Sequence, residues 1–475
     1  MKNRIKPSTG LLSAMALLTF SGLAFAQTPA RASNEWTWMG GSSLVDQRGV
    51  YGRRGTSATA TTPGARVYAS SWTDAEGNLW LFGGYGASAA RGEQGDLNDL
   101  WKFSDGEWTW VDGSNVTEHA GIYGRQGVAA KGNVPGARYQ AVHWRDASGN
   151  FWLFGGLGID STGARGRLND LWKYSNGSWT WMGGSNLIAD SVAGIYGTKK
   201  KSAPSNQPGA RVDASAWADS SGNLWLFGGL GYDSTGVIGI LNDLWKYSDG
   251  EWTWMSGSNR IGNVGRYGML GEGTTQTHPG ARTNAVTWID ANGSLWLFGG
   301  EGQDLNGRLC VKEAGGLPCD LNDLWKYSDG IWTWVGGSDI IAAPGEYGTQ
   351  GAAAPGNFPG ARDSAISWTD AAGNFWLYGG FGYDSTTGAF VEYGDLNDLW
   401  KFSGGEWTWV SGSKLAGQQG IYGTEGKINR RNIAGARDSA VSWSDAEGNL
   451  WLFGGGDYLS VFGGGKFNDL WKYKP

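Results

Sequence analysis

Short runs along the whole chain alternate apolar and polar positions with a period of two, as in "LWLF" from Leu79 and "EWTWM" from Glu251, and turn residues bracket each run. Aromatic and β-branched residues in such alternation predict strands. Four strips recur in a fixed order. The first reads GARxxAxxW and spans residues 64–72, 136–144, 209–217, 280–288, 360–368 and 435–443. The second is "WLFGG" or "WLYGG", starting at Trp80, Trp152, Trp225, Trp296, Trp376 and Trp451. The third is NDLWK, from Asn98, Asn169, Asn242, Asn322, Asn397 and Asn468. The fourth, WTW, follows five of these, while its sixth copy stands near the N-terminus at Trp36–Trp38.

The punctuation separates two kinds of connection. Strips one and two are joined by tight turns such as "TDAEGN", strips three and four by "SDGE" or "SNGS", with glycine where left-handed backbone is wanted. The other two connections are long, glycine-rich and different in every copy. Antiparallel strands alternate direction, so all the long connections are expected at one end of the strands. Binding normally resides on loops held by a rigid scaffold, which makes that end the expected site.

The arginines of the first strip recur at steps of 71 to 80 residues. Such steps are too long for a solenoid rung and fit a four-stranded propeller blade with long loops. The expected fold is therefore all-β: a six-bladed β-propeller with four antiparallel strands per blade. Its ring would close by pairing the N-terminal "WTWMGG" with the C-terminal "FNDLWKYKP", removing edges that would otherwise aggregate. The 30 tryptophans divide evenly among the repeats, which suits sheet-on-sheet packing better than one ligand site.

The two ends and the charge narrow the setting. Lys2, Arg4 and Lys6, a short apolar run and Ala24-Phe25-Ala26 predict a signal peptide over residues 1–26, cleaved after Ala26. Residues 27–475 are then one exported domain, secreted or periplasmic, and no later apolar run is long enough to predict membrane insertion. The net charge of −6 becomes three units more negative without the leader, which argues against nucleic acid as a partner. Cys310 and Cys319 are expected to form a disulfide that holds up the longest loop between second and third strands. A monomer is expected.

A strand with a leading Arg, an apolar strand ending in Gly-Gly, then NDLW and a closing Trp strand together resemble the kelch repeat, six times over residues 36–475. The resemblance implies a propeller of the kind found in copper radical oxidases related to galactose oxidase, in sialic-acid mutarotases and in many binding platforms. It does not fix a function. A galactose-oxidase-like centre needs paired histidines, tyrosines and a lone cysteine, whereas this chain has only His119, His143 and His278, scattered along it. No metal and no cofactor are expected.

The polar set that recurs in every repeat is Arg66, Arg138, Arg211, Arg282, Arg362 and Arg437. One reading makes them a cationic collar for carboxylates at the channel mouth. The other pairs each with an aspartate of NDLW: Asp99, Asp170, Asp243, Asp323, Asp398 or Asp469. Specificity is expected where the copies differ, two positions past each arginine, at Tyr68, Gln140, Asp213, Asn284, Ser364 and Ser439. This register, rather than Val67, Tyr139, Val212, Thr283, Asp363 and Asp438, is expected to face the channel. The function expected is recognition of a glycan or an extracytoplasmic protein. The alternative is a cofactor-free enzyme of the mutarotase or epimerase type, with Asp213, Asp363 and Asp438 as acid–base groups. Repeated G-x-Y-G tyrosines such as Tyr51 are expected to pin the loops, and Tyr232 and Tyr383 in the "YDST" loops are further sugar-binding candidates.

Overall fold

The computed structural model describes Met1 and residues 34–188, 193–307, 319–386, 393–457 and 465–475. The expected leader, beyond Met1, lies outside the described residues. Residues 34–475 form one compact unit of antiparallel sheets, and no helix occurs among the described residues.

The third repeat shows the plan. Its first strip is broken into Arg211–Val212 and Ser215–Ala218, both pairing with Leu224–Tyr232, which pairs with Ile238–Ser248, which pairs with Glu251–Ser256. The first four repeats share this order, while the fifth divides into two sheets, with Arg362–Asp363, Phe381–Tyr383 and Tyr393–Asp395 forming the smaller. In the sixth, the outermost strand is Glu35–Gly40, paired antiparallel with Leu470–Lys474. The two ends of the repeat array therefore complete one sheet.

Local chemistry accounts for the turns and kinks. Asp219 closes the tight turn: its carboxylate accepts from the amides of Ser221 and Asn223, the Asn223 side chain and the Trp225 indole. The third of these partners explains the Asn in "DSSGN", and Gly222 at φ 82° supplies the left-handed residue. Halfway along the second strand, Gly228 and Gly229 take φ of 66° and 92°. A Cβ on Gly228 would stand 2.7 Å from the carbonyl oxygen of Arg282, so only glycine lets the next repeat's backbone approach here.

The core is divided into wedges between neighbouring repeats. One joins Trp217, Trp225 and Phe227 of the third repeat to Leu297, Trp325 and Trp332 of the fourth, and another joins Leu81 and Trp101 of the first to Trp443 and Phe453 of the last. Each such side chain, fully buried, contributes about 1.5–3 kcal/mol. The indoles also bridge repeats: Trp217 donates to the Trp296 carbonyl, and Trp443 to that of Trp80. First strands lie side by side in chain order, and Val441–Ser444 returns to Ser70–Thr73. This arrangement fits a propeller. Strand pairing puts the Asp219-type turns at one end and the long connections at the other.

Candidate functional site

All six first-strip arginines are buried, none more than 1% exposed, and all are paired. Arg66 meets Asp99, Arg138 Asp170, Arg211 Asp243, Arg282 Asp323, Arg362 Asp398 and Arg437 Asp469. In the third repeat Nη1 and Nη2 of Arg211 donate to the two carboxylate oxygens at 2.8 Å, Nε donates to the Gly209 carbonyl and Nη1 also to that of Gly228. The collar is thus corrected: with every fork satisfied inside its own repeat, these arginines offer no donor to a ligand. The G-x-Y-G tyrosines end on the same aspartates, Tyr196 donating to Asp243 and Tyr51 to Asp99 at 2.7 Å.

The variable residues two positions on do converge. Tyr68, Gln140, Asp213, Asn284, Ser364 and Ser439, each followed by an alanine, line a cavity of about 180 Å³ at the centre of the array. Their backbone is left-handed, with φ between 52° and 56°, and not that of an alternating strand. This is why the first strip breaks in two. The twist lets each amide reach sideways to the residue before it: Gln140 N donates to Tyr68 O, Asp213 to Gln140, Asn284 to Asp213, Ser364 to Asn284, Ser439 to Ser364, and Tyr68 back to Ser439, at 2.9–3.2 Å. Six amides thus form a cycle of hydrogen bonds.

On the long-loop side of that cycle, positions that differ between repeats stand opposite one another across the first three strands. The triples are Val67–Tyr85–Asp96, Tyr139–Leu157–Arg167, Val212–Leu230–Ile240, Thr283–Glu301–Asp320, Asp363–Phe381–Asp395 and Asp438–Gly456–Lys466. The third repeat is wholly apolar there, and the fourth and fifth each carry two acids. Tyrosines gather at the first two repeats, with Tyr68 and Tyr85 at 6.2 and 5.6 Å from Tyr139 and Lys466 over Tyr85 at 5.0 Å.

The acids form the electrostatic centre. Arg437 N donates to Leu396 O, seating the sixth repeat's first strand against the fifth's third strand, and Asp438 hydrogen-bonds Asp395. Burial, followed by the charges of Asp438, Asp457 and Asp363, pushes the Asp395 carboxyl up to about 9. Burial, followed by the charges of Asp438, Asp213 and Asp363, holds the Tyr68 phenol well above its ordinary value. Of the three acids expected from the sequence, Asp213 lines the central cavity with Tyr68, while Asp363 and Asp438 stand one residue earlier in their strips, and the charges of all three act on the Tyr68 phenol.

Asp395 and Asp457 were not singled out in the sequence. For Asp395 the signal was available at the residue two before each NDLW: Asp96, Arg167, Ile240, Asp320, Asp395 and Lys466 range from acid through isoleucine to base inside an otherwise repeated line. Beside Asp395 and Asp457 opens a cavity of about 900 Å³, whose wall includes Tyr393, Ala416, Gln418 and Phe467.

Other candidates have structural duties or lie apart. Asp233 in the "YDST" loop accepts from Thr235 and Val237 and closes that loop on itself, while Tyr383 is fully buried. His119 is exposed, His278 is half-buried, and His143, beside Trp72, is held down to about 4 by burial. With three histidines in separate places and Cys319 disulfide-bonded, the donor set does not fit a copper centre. Cys310 lies outside the described residues.

No known family's sequence pattern matches the chain, and no curated protein matches it. Among solved structures, it is similar to that of YjhT, at 13% identity over 86% of this chain and 95% of the other, with a TM-score of 0.47. It is also similar to a fungal alcohol oxidase of the AA5 family in complex with copper, at 12% identity over 90% and 77% of the two chains, with a TM-score of 0.46. Likenesses this distant carry no ligand or reaction over to this chain.

Proposed function

We propose that the protein is a closed, six-bladed kelch-type propeller, exported after cleavage behind Ala26 and monomeric, that recognises a glycan at its long-loop end where repeats five and six meet. The observation that carries this is a cavity of about 900 Å³ at that end, with Asp395 and Asp457 on its wall. A cavity of this size falls in the range of small-ligand pockets and suits a sugar better than the flat face of a protein partner. Hydroxyl-rich ligands need donors and acceptors close together. A carboxyl that keeps its proton offers both, its hydroxyl donating and its carbonyl oxygen accepting.

The test is a glycan array probed with mature protein, in parallel with the Asp395→Ala, Asp438→Ala double variant. Binding to a defined set of glycans, lost in the double variant, is the expected result. An array with no binding, together with capture of an extracytoplasmic protein by both forms, overturns it.

A second reading rests on the same acid pair. A carboxyl that keeps its proton next to a second carboxyl supplies the groups for acid–base chemistry at an anomeric carbon, in a cofactor-free enzyme of the mutarotase or epimerase type. Anomer exchange of the bound sugar followed by NMR, faster with protein than without and slowed in Asp395→Asn, would select this reading over simple recognition.

A further inference from the structure

Each connection leaving a fourth strand begins Gly-Ser, and the residue four past that glycine is Val45, Thr117, Ile188, Ile261, Ile341 or Ala416. Five are β-branched and one is a single methyl. Their place in the fold shows what the difference does. The residue three before each NDLW is glycine in five repeats: Gly95, Gly166, Gly239, Gly394 and Gly465. A Cβ added to Gly166 would lie 2.9 Å from Ile188, one on Gly239 2.7 Å from Ile261, and one on Gly95 2.9 Å from Thr117. The β-branched side chain thus wedges onto that glycine and fills the angle between two loops. At Gly394 the same Cβ would stand 3.5 Å from Ala416, in ordinary contact. The wedge is missing at this one of the compared places, and there the cavity of about 900 Å³ opens.

We infer that this cleft, off the central channel and entered past Ala416, is the pocket for one pyranose ring, without a carboxylate, of the recognised glycan. The inference rests on the glycan reading above and adds where the ring sits, which residue admits it and its charge class. Tyr393 and Phe467 supply ring faces for the apolar side of a sugar, and Gln418 and Asp395 supply hydrogen-bonding groups on the same wall. Among the described residues the wall carries two acids, Asp395 and Asp457, and no lysine or arginine, a balance that disfavours a sugar carboxylate.

The probes are the methyl glycosides of glucose, galactose and mannose, with methyl glucuronide and methyl glucosaminide as charged counterparts, titrated into mature protein and followed by saturation-transfer NMR. Ala416→Ile installs the residue that the second, third and fourth repeats already hold, so the fold accepts it. Ala416→Ser keeps the cleft open. The expected result is binding of at least one uncharged glycoside, weakened at least tenfold in Ala416→Ile, retained in Ala416→Ser, with thermal midpoints unchanged or raised. Binding that survives Ala416→Ile, preference for the glucuronide, or no glycoside bound by the wild type each overturns the inference. If array glycans still bind Ala416→Ile, the cleft falls and the glycan reading stands. If the array is also blank, both fall.

Discussion

Arg211 and Asp243 meet through two parallel hydrogen bonds of 2.8 Å, and neither side chain has any exposed surface. Asp243 accepts two more, from the Tyr196 hydroxyl and the Trp245 indole, both at 2.7 Å. One carboxylate therefore ties the first strand, the third strand and the incoming loop of its repeat. Asp243→Asn keeps the shape and removes the charge, leaving Arg211 buried and unneutralised. Breaking such a pair costs about 3–5 kcal/mol. The expected outcome is a lower urea midpoint, with no comparable change in a variant of exposed Asp105.

Trp36 lies on the strand that completes the last sheet. It is 2% exposed and packs against Tyr378 and Tyr473, with ring centroids 5.1 Å away in each case. Truncating the side chain in Trp36→Ala is expected to cost about 3–5 kcal/mol. Deleting residues 27–41 goes further, since Leu470–Lys474 then loses its partner strand Glu35–Gly40 and presents an open edge. Concentration-dependent association by light scattering is expected for the deletion and not for wild type.

Strand order and the split last sheet were legible because each rests on a pattern written six times: alternation gives strands, and connection length gives the two ends. The Arg–Asp pairing was legible only as one of two readings, since a sequence shows both partners and not the distance between them. The site was less accessible. Alternation assigned Tyr68 and its counterparts to a strand face, whereas the chain twists left-handed there to close the cycle of amides, a conformation that no residue preference at Tyr68 or Gln140 announces. Asp395 was hidden for another reason. Its character comes from burial against Asp438, a contact made by the next repeat and absent from its own neighbourhood in sequence.

Asp395 gives stability a dependence on pH with a definite sign. In the folded chain its carboxyl holds its proton up to about 9, chiefly through burial and then through Asp438, Asp457 and Asp363. Unfolded, an aspartate releases its proton near about 4. Between the two values the unfolded chain binds fewer protons, so the folded state loses this contribution as pH rises through that window, and keeps it in full below the unfolded value. Asp395→Asn cannot ionise. The fall in thermal midpoint between about pH 5 and about pH 9 is expected to be smaller in Asp395→Asn than in wild type. Parallel curves for the two proteins would show that Asp395 does not titrate in this range.

The amide cycle itself makes the last prediction. Ser364 holds φ at 53° so that its N–H reaches Asn284 O while its own carbonyl accepts from Ser439 N. A side chain in that conformation costs roughly 1–2 kcal/mol, and a β-branched one fares worst because its Cβ substituents crowd the following carbonyl. Ser364→Gly removes the crowding and is expected to hold or raise the thermal midpoint, while Ser364→Val lowers it, the two differing by about 1–2 kcal/mol. The same pair of substitutions at Ser367, inside the regular strand Ile366–Thr369, is expected to rank in the opposite order, because valine suits an extended strand and glycine weakens it. Equal ranking at both positions would mean that position 364 is extended in solution and that the cycle does not form.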